Sequence, residues 1–174
     1  MPHFLIFENP KLKIDATLND GQLLVCPQGK FDEDFRCENL LEFFRAQENT
    51  ARRVTIDLSR VSEINSCGVR EWLIMLERLS SKIRPYFRGI SEFVVEQANM
   101  VPAVLGRDPS RIESFQVPFH CLPCGNRHVR PMIPFDIQWK EEEAPLIPVQ
   151  KCPKCGGDMN FDSILEEYFY FLRR

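Results

Sequence analysis

No stretch of this sequence approaches the roughly 20 consecutive apolar residues that a helix needs to cross a bilayer. The N-terminal Phe4-Leu5-Ile6-Phe7 run is too short for the apolar region of a secretory signal, and no basic flank precedes it. The reading is a cytosolic (cytoplasmic) protein with no membrane segment. Histidine is scarce as well. His3, His120 and His128 have no matching acidic cluster, so no histidine-based catalytic site is expected. A glycine-rich phosphate loop, a GxSxG nucleophile elbow and an HExxH metal motif are all missing. Their absence removes P-loop nucleotide hydrolysis, α/β-hydrolase chemistry and zincin-type proteolysis. There is no excess of positive charge either: 22 Lys and Arg stand against 25 Asp and Glu. Residues 109–174 hold eight basic and nine acidic side chains, including the run Glu141-Glu142-Glu143. Nucleic-acid binding needs a clustered positive face, and Arg127 and Arg130 are too few to supply one.

What the chain does have is cysteine, seven in all. Four of them form two CxxC pairs, Cys121-Leu122-Pro123-Cys124 and Cys152-Pro153-Lys154-Cys155, with 27 residues between the pairs. Glycine follows each pair at once, as Gly125 and as Gly156-Gly157. Two residues between sulfurs let one tight turn aim both at a single point, and the glycine gives that turn its backbone freedom. Two such knuckles predict a closed shell of four thiolates around one structural Zn²⁺, with no vacant position for catalysis. A pair of disulfides is the other arrangement open to these four, and a reducing compartment favours the metal. The remaining Cys26, Cys37 and Cys67 read as small buried hydrophobes, with redox sensing at Cys67 as the alternative. His120, next to Cys121, reads as a strand residue beside the knuckle, with metal ligation or support as its alternative.

Along the chain, Leu12, Ile14, Ala16 and Leu18 alternate with polar residues and predict a half-buried strand. Asn19-Asp20-Gly21 predicts a hairpin turn, and Leu23 to Cys26 a returning strand ended by Pro27. A helix is expected from about 35 to 48, with Asp32 or Asp34 as its N-cap, and then a buried strand over Val54–Leu58. Val69, Trp72, Leu73, Leu76 and Leu79 form one apolar stripe against charged Arg70, Glu71, Glu77 and Arg78, which predicts a long helix. A short strand over Ile83–Phe87 and a helix from Ser91 to Met100, stopped by Pro102, complete a small α/β unit. That unit ends near Gly106-Arg107-Asp108-Pro109. Arg111 to His120 is expected as a strand leading to the first knuckle. Ile164, Leu165, Tyr168, Phe169 and Leu172 recur at helical spacing behind Asp162 or Ser163, and predict a tail helix that folds back as a lid on the ribbon or the α/β unit, with burial in a partner as the alternative.

The segment from Val54 to Val69, with Val54-Thr55-Ile56-Asp57-Leu58 at its start and Asn65-Ser66-Cys67-Gly68-Val69 at its end, resembles a STAS domain. That is the domain of anti-sigma factor antagonists and sulfate transporter tails. In that family a buried strand ends in hydrophobic-Asp-Leu, and a short loop then reaches Asp-Ser-Ser/Thr-Gly-Leu at a helix start. The resemblance covers residues 11–105. The remainder resembles a rubredoxin-type zinc ribbon. Resemblance to the antagonists implies a serine, here Ser66, that a GHKL-type kinase phosphorylates, and binding to that kinase that ends once the phosphate is on; the other reading of Ser66 is simply an N-cap that begins the helix. A phosphate at a helix N-terminus would meet free N–H groups and the positive end of the helix dipole. Asn65 departs from the family's switching members, which carry aspartate there. It keeps the capping ability and loses the charge.

The sequence therefore predicts an α/β protein. Residues 1–108 form a STAS-like mixed sheet with helices, and 109–174 a four-cysteine zinc ribbon with an aromatic C-terminal helix. Its expected role is a non-catalytic, bacterial regulatory module that docks partners through Asn65, Ser66, Cys67, Gly68 and Val69. The expected partner is a GHKL-type kinase, an anti-sigma factor, another STAS protein or a second copy of the chain. A zinc-ribbon protein that binds nucleic acid is the alternative. No open cleft lined with convergent acids and bases is expected.

Overall fold

The computed structural model describes residues 2–106, 108–139 and 144–173. Its first three strands form an antiparallel meander: β1 (His3–Glu8), β2 (Leu12–Asn19) and β3 (Gln22–Phe31). Asp20 and Gly21 both have positive φ, at 46° and 76°, which is the geometry of the two-residue hairpin turn that the Asn-Asp-Gly signal predicts. β4 (Arg53–Asp57) and β5 (Arg60–Ile64) then run parallel to β3, one after the other. β4 takes Gln22–Val25 and β5 takes Gln28–Phe31. β6 (Tyr86–Arg88) adds in parallel to β4. The result is a mixed six-stranded sheet in the order β1-β2-β3-β4-β6, with β5 beside β3.

Three helices cover one face of this sheet: α1 (Glu38–Gln47), α2 (Ser66–Arg78) and α3 (Glu92–Met100). Leu12, Ile14, Ala16, Leu23, Val25 and Ile56 point into the covered face, where they meet Leu40, Phe44, Val69, Trp72, Met75, Val94 and Val95 in one buried cluster. The Phe31 ring stands edge-on to Trp72 at 5.5 Å, and the Trp72 indole donates to the Val104 carbonyl at 2.8 Å. Alternation along the strands leaves Asp15, Cys26, Asp57 and Arg88 on the uncovered face.

A second, antiparallel sheet follows, built from β7 (Phe115–Cys121), β8 (Arg127–Met132), β9 (Gln150–Lys151) and β10 (Asp158–Phe161) in the order β8-β7-β10-β9. The chain entering β7 first runs beside β6: Glu113 N–H donates to Phe87 O at 2.7 Å and Gln116 N–H to Ile90 O at 2.8 Å. The tail turns back as α4 (Leu165–Tyr168) and a short 3₁₀ turn, Tyr170–Leu172. Phe171 packs edge-on against Phe115 at 5.4 Å, and Asn99 of α3 bonds both Tyr168 O and Phe171 N–H. One buried cluster thus continues from the first sheet through Phe115 and Phe119 to Phe169 and Phe171, across the boundary expected between the two parts. Among the described residues no helix is long and apolar enough to cross a membrane.

Several elements differ from expectation. The Phe4–Phe7 run is an edge strand, and Arg60–Ile64 is a strand within the stretch expected as a loop. β3 runs on through Pro27 instead of ending there. α1 starts at Glu38 and not at 35, because Asp32 folds into an Asx turn, accepting from Asp34 N–H at 2.9 Å, instead of capping the helix. Neither Asp162 nor Ser163 caps the tail helix; Asp162 pairs with Arg127 at 3.0 Å. Arg107 and the Glu141-Glu142-Glu143 run lie outside the described residues.

Candidate functional site

The two CxxC knuckles are built alike. In the first, Cys121 N–H donates to Asn126 O at 2.9 Å and Gly125 N–H to Cys121 O at 2.8 Å. In the second, Cys152 N–H donates to Gly157 O at 2.8 Å and Gly156 N–H to Cys152 O at 2.9 Å. Gly125 and Gly156 have φ of 67° and 74°, and a Cβ on either would meet nothing within 4 Å, so backbone conformation and not space requires glycine there. β7 delivers Cys121, while the β9–β10 turn delivers Cys152 and Cys155. Pairing of Met159 with Cys121 brings the two turns face to face.

All four sulfurs lie within 4.8 Å of one another. Cys121 Sγ is 3.5 Å from Cys155 Sγ, and Cys124 Sγ is 3.6 Å from Cys152 Sγ. A tetrahedron with metal–sulfur bonds of about 2.3 Å has edges of about 3.8 Å, so this cluster fits one ion with little adjustment. Burial pushes the Cys121 thiol up to about 12. At Cys152 burial acts the same way, but the backbone N–H groups of Cys155 and Lys154 outweigh it and bring the thiol down to about 6. His120 is not among the converging ligands; it alternates with Cys121 along β7, opposite Asn160.

Around the α2 N-terminus, Asn65 is the cap: its Oδ1 accepts from Gly68 N–H at 3.0 Å. Its Nδ2 donates to Glu33 Oε2 at 3.0 Å. Ser66 is the first residue of the helix and is exposed, while Cys67 is half-buried. Gly68 and Val69 turn inward. A Cβ on Gly68 would fall 2.2 Å from Phe31 O, so glycine here is what lets α2 approach β3. Of the five residues expected to dock partners, Ser66 therefore offers the most surface, and Gly68 and Val69 are packing residues.

Glu71, expected on the charged face of α2, is buried, and its Oε2 accepts from Cys37 N–H at 3.3 Å at the start of α1. Cys37, Glu38 and Glu71 come close enough together to hold an ion. Glu71 is already engaged at the positive end of α1, which gives the group a structural reason of its own.

The uncovered sheet face contains a cleft that the sequence reading did not expect. It has a volume of about 330 Å³ and is lined by acids and bases, among them His3, Asp15, Asp57, Arg60 and Arg88. The residues that form it are scattered over all six strands of the first sheet and share no spacing motif, so only strand register could have brought them together. Asp57 is held below the usual carboxylate range: burial would raise it, but Ser59 and Arg88 bond its oxygens and prevail. Burial pushes the Cys26 thiol up. In this cleft Asp57 thus ionises more readily than a free carboxyl and the Cys26 thiol less readily than a free thiol. No protein-family model and no curated protein matches this chain.

Proposed function

We propose that the chain is a non-catalytic, cytosolic regulatory module. In this reading it resembles anti-sigma factor antagonists, carries a STAS-like fold in its first sheet, and docks a partner around the α2 N-terminus, with Ser66 as the switch. The observation that carries the reading is the exposure of Ser66 at the first turn of a capped, 13-residue helix, while its neighbours Gly68 and Val69 face the core. A phosphate there would meet first-turn N–H groups that no helix satisfies internally, so the fold would tolerate the modified form. The new charge would repel an acidic partner surface.

The four cysteines, in the same proposal, hold one Zn²⁺ as a closed structural shell that ties the β7 and β10 ends together. A nucleic-acid role has less support. Arg127 is engaged by Glu92 and Asp162, and Lys151 by Asp158 at 2.6 Å, so these cations of the second sheet are already paired.

The test is affinity purification of tagged chain from its own cells, with phosphosite mapping at Ser66. The expected result is a stoichiometric GHKL-type kinase, anti-sigma factor or STAS-domain partner with the unmodified chain, lost with Ser66→Glu. Identical partners for both forms would sink the switch. Salt-sensitive RNA or DNA binding in a gel shift would favour the alternative.

A further inference from the structure

Register lines up four side chains across the uncovered sheet face. Asp15 of β2 pairs with Cys26 of β3, Cys26 is next along from the Val25–Ile56 pair and so neighbours Asp57 of β4, and Asp57 pairs with Arg88 of β6. With strands about 4.8 Å apart, the two ends of this row are about 14 Å apart at Cα. The small Cys26 sits in the middle of a hollow that Thr17, Leu24 and Gln28 also line.

The polar valences of this cleft are unevenly used. Asp57 Oδ1 accepts from Ser59 N–H at 3.1 Å and its Oδ2 from Arg88 Nε at 2.8 Å. That bond holds the guanidinium of Arg88, which lines the cleft, and no second partner of it is found among the described residues. Among the described residues Arg60 donates from Nη1 to neutral Gln28 alone, at 3.1 Å. An oriented guanidinium matches a planar carboxylate through two parallel hydrogen bonds. At the other end, Asp15 is 9 % exposed, and its Oδ2 meets Lys13 at 3.1 Å. Its Oδ1 is buried with no hydrogen-bond partner among the described residues, and the largely exposed His3 ring covers it at 3.7 Å. A buried acceptor without a donor marks a missing partner.

We propose that this cleft binds a small zwitterion of the amino-acid class, its carboxylate on Arg88 and Arg60 and its ammonium on Asp15 after His3 swings aside. A metal ion fits poorly, because the acids of this cleft do not converge on one point as the four cysteines do. A simple anion would give Asp15 Oδ1 no donor and face its charge, and a simple amine would give Arg60 and Arg88 no second acceptor beyond Gln28 and Asp57. The site is independent of Ser66 and of the four cysteines.

The test is titration calorimetry on the full chain with a ruler of probes: glycine, β-alanine, 4-aminobutyrate, 5-aminovalerate and 6-aminohexanoate, then the twenty standard amino acids. One length is expected to bind best, with its carboxylate-only and amine-only analogues at least about tenfold weaker, since each lost charged hydrogen bond is worth that much. Arg88→Gln should weaken the best probe by at least about tenfold. Asp15→Asn should do the same, yet bind the carboxylate-only analogue at least as tightly as the parent, because it removes a charge of the same sign. Absence of binding by every probe below about 10 mM would overturn the site. So would an analogue lacking either charge that binds as tightly as the zwitterion. The probe series on the unaltered chain decides the matter even where a variant fails to fold.

Discussion

Asn65 uses both ends of its amide, accepting from Gly68 N–H and donating to Glu33. Aspartate could fill only the first role and would set two carboxylates together. Glu33 therefore gives asparagine a local reason at position 65. Asn65→Asp should cost about 1 kcal/mol, read as a lower urea midpoint with unchanged slope; an unchanged midpoint would mean that Glu33 simply turns to solvent. Gly68 has a stricter requirement, because the added Cβ of Gly68→Ala would strike backbone, the Phe31 carbonyl, and not a flexible side chain. That variant should lose about 3 kcal/mol, through α2 being pushed from β3. A stability within about 0.5 kcal/mol of the parent would show that the helix shifts freely.

At the scale of elements, Pro27 explains why β3 outruns its sequence signal. Lys30 N–H donates to Lys11 O at 3.0 Å, so even-numbered residues of β3 bond β2 and residue 27 faces the other side. There β4 has ended at Asp57 and β5 starts only at Arg60, so no neighbouring strand needs the N–H that proline lacks. The tail was legible in outline, since its apolar residues recur at helical spacing, but it breaks into one helical turn and a 3₁₀ turn to insert Phe169 and Phe171. Phe169→Ala should cost about 3–5 kcal/mol by calorimetric or urea unfolding. Tyr168 adds a pH dependence. Burial, reinforced by Glu92 and Glu96, raises its hydroxyl well above the ordinary tyrosine value. In the unfolded chain it ionises near pH 10, so its contribution is full below about pH 10 and is lost as pH rises beyond it. Unfolding midpoints of the parent should fall more steeply between about pH 9 and pH 11 than those of Tyr168→Phe.

Taken whole, the molecule has one core under two sheets, and the metal cluster sits at the far end of the second. Chelation should raise amide exchange across residues 115–132 and 150–161, and metal analysis of the untreated protein should give one zinc per chain. Because Phe161 stacks on Phe169 at 5.6 Å, the tail should loosen with it, while β2, β3 and β4 keep their protection. Unchanged exchange after complete metal removal would make the cluster a bystander to folding.

By itself the sequence determined what depends on neighbours in the chain. The hairpin at Asp20-Gly21, the amphipathic faces of α2 and α3, and the pairing of each CxxC with its glycine are set by spacing and backbone preference over a few residues. Tertiary structure decided what depends on register between distant segments. β1 and β5 carry weak local signals and are strands because β2 and β3 offer them unpaired edges. Glu71 is buried because α1 begins beside it. Asp15, Cys26, Asp57 and Arg88 form one row only once four strands have paired, and no period in the sequence encodes that meeting.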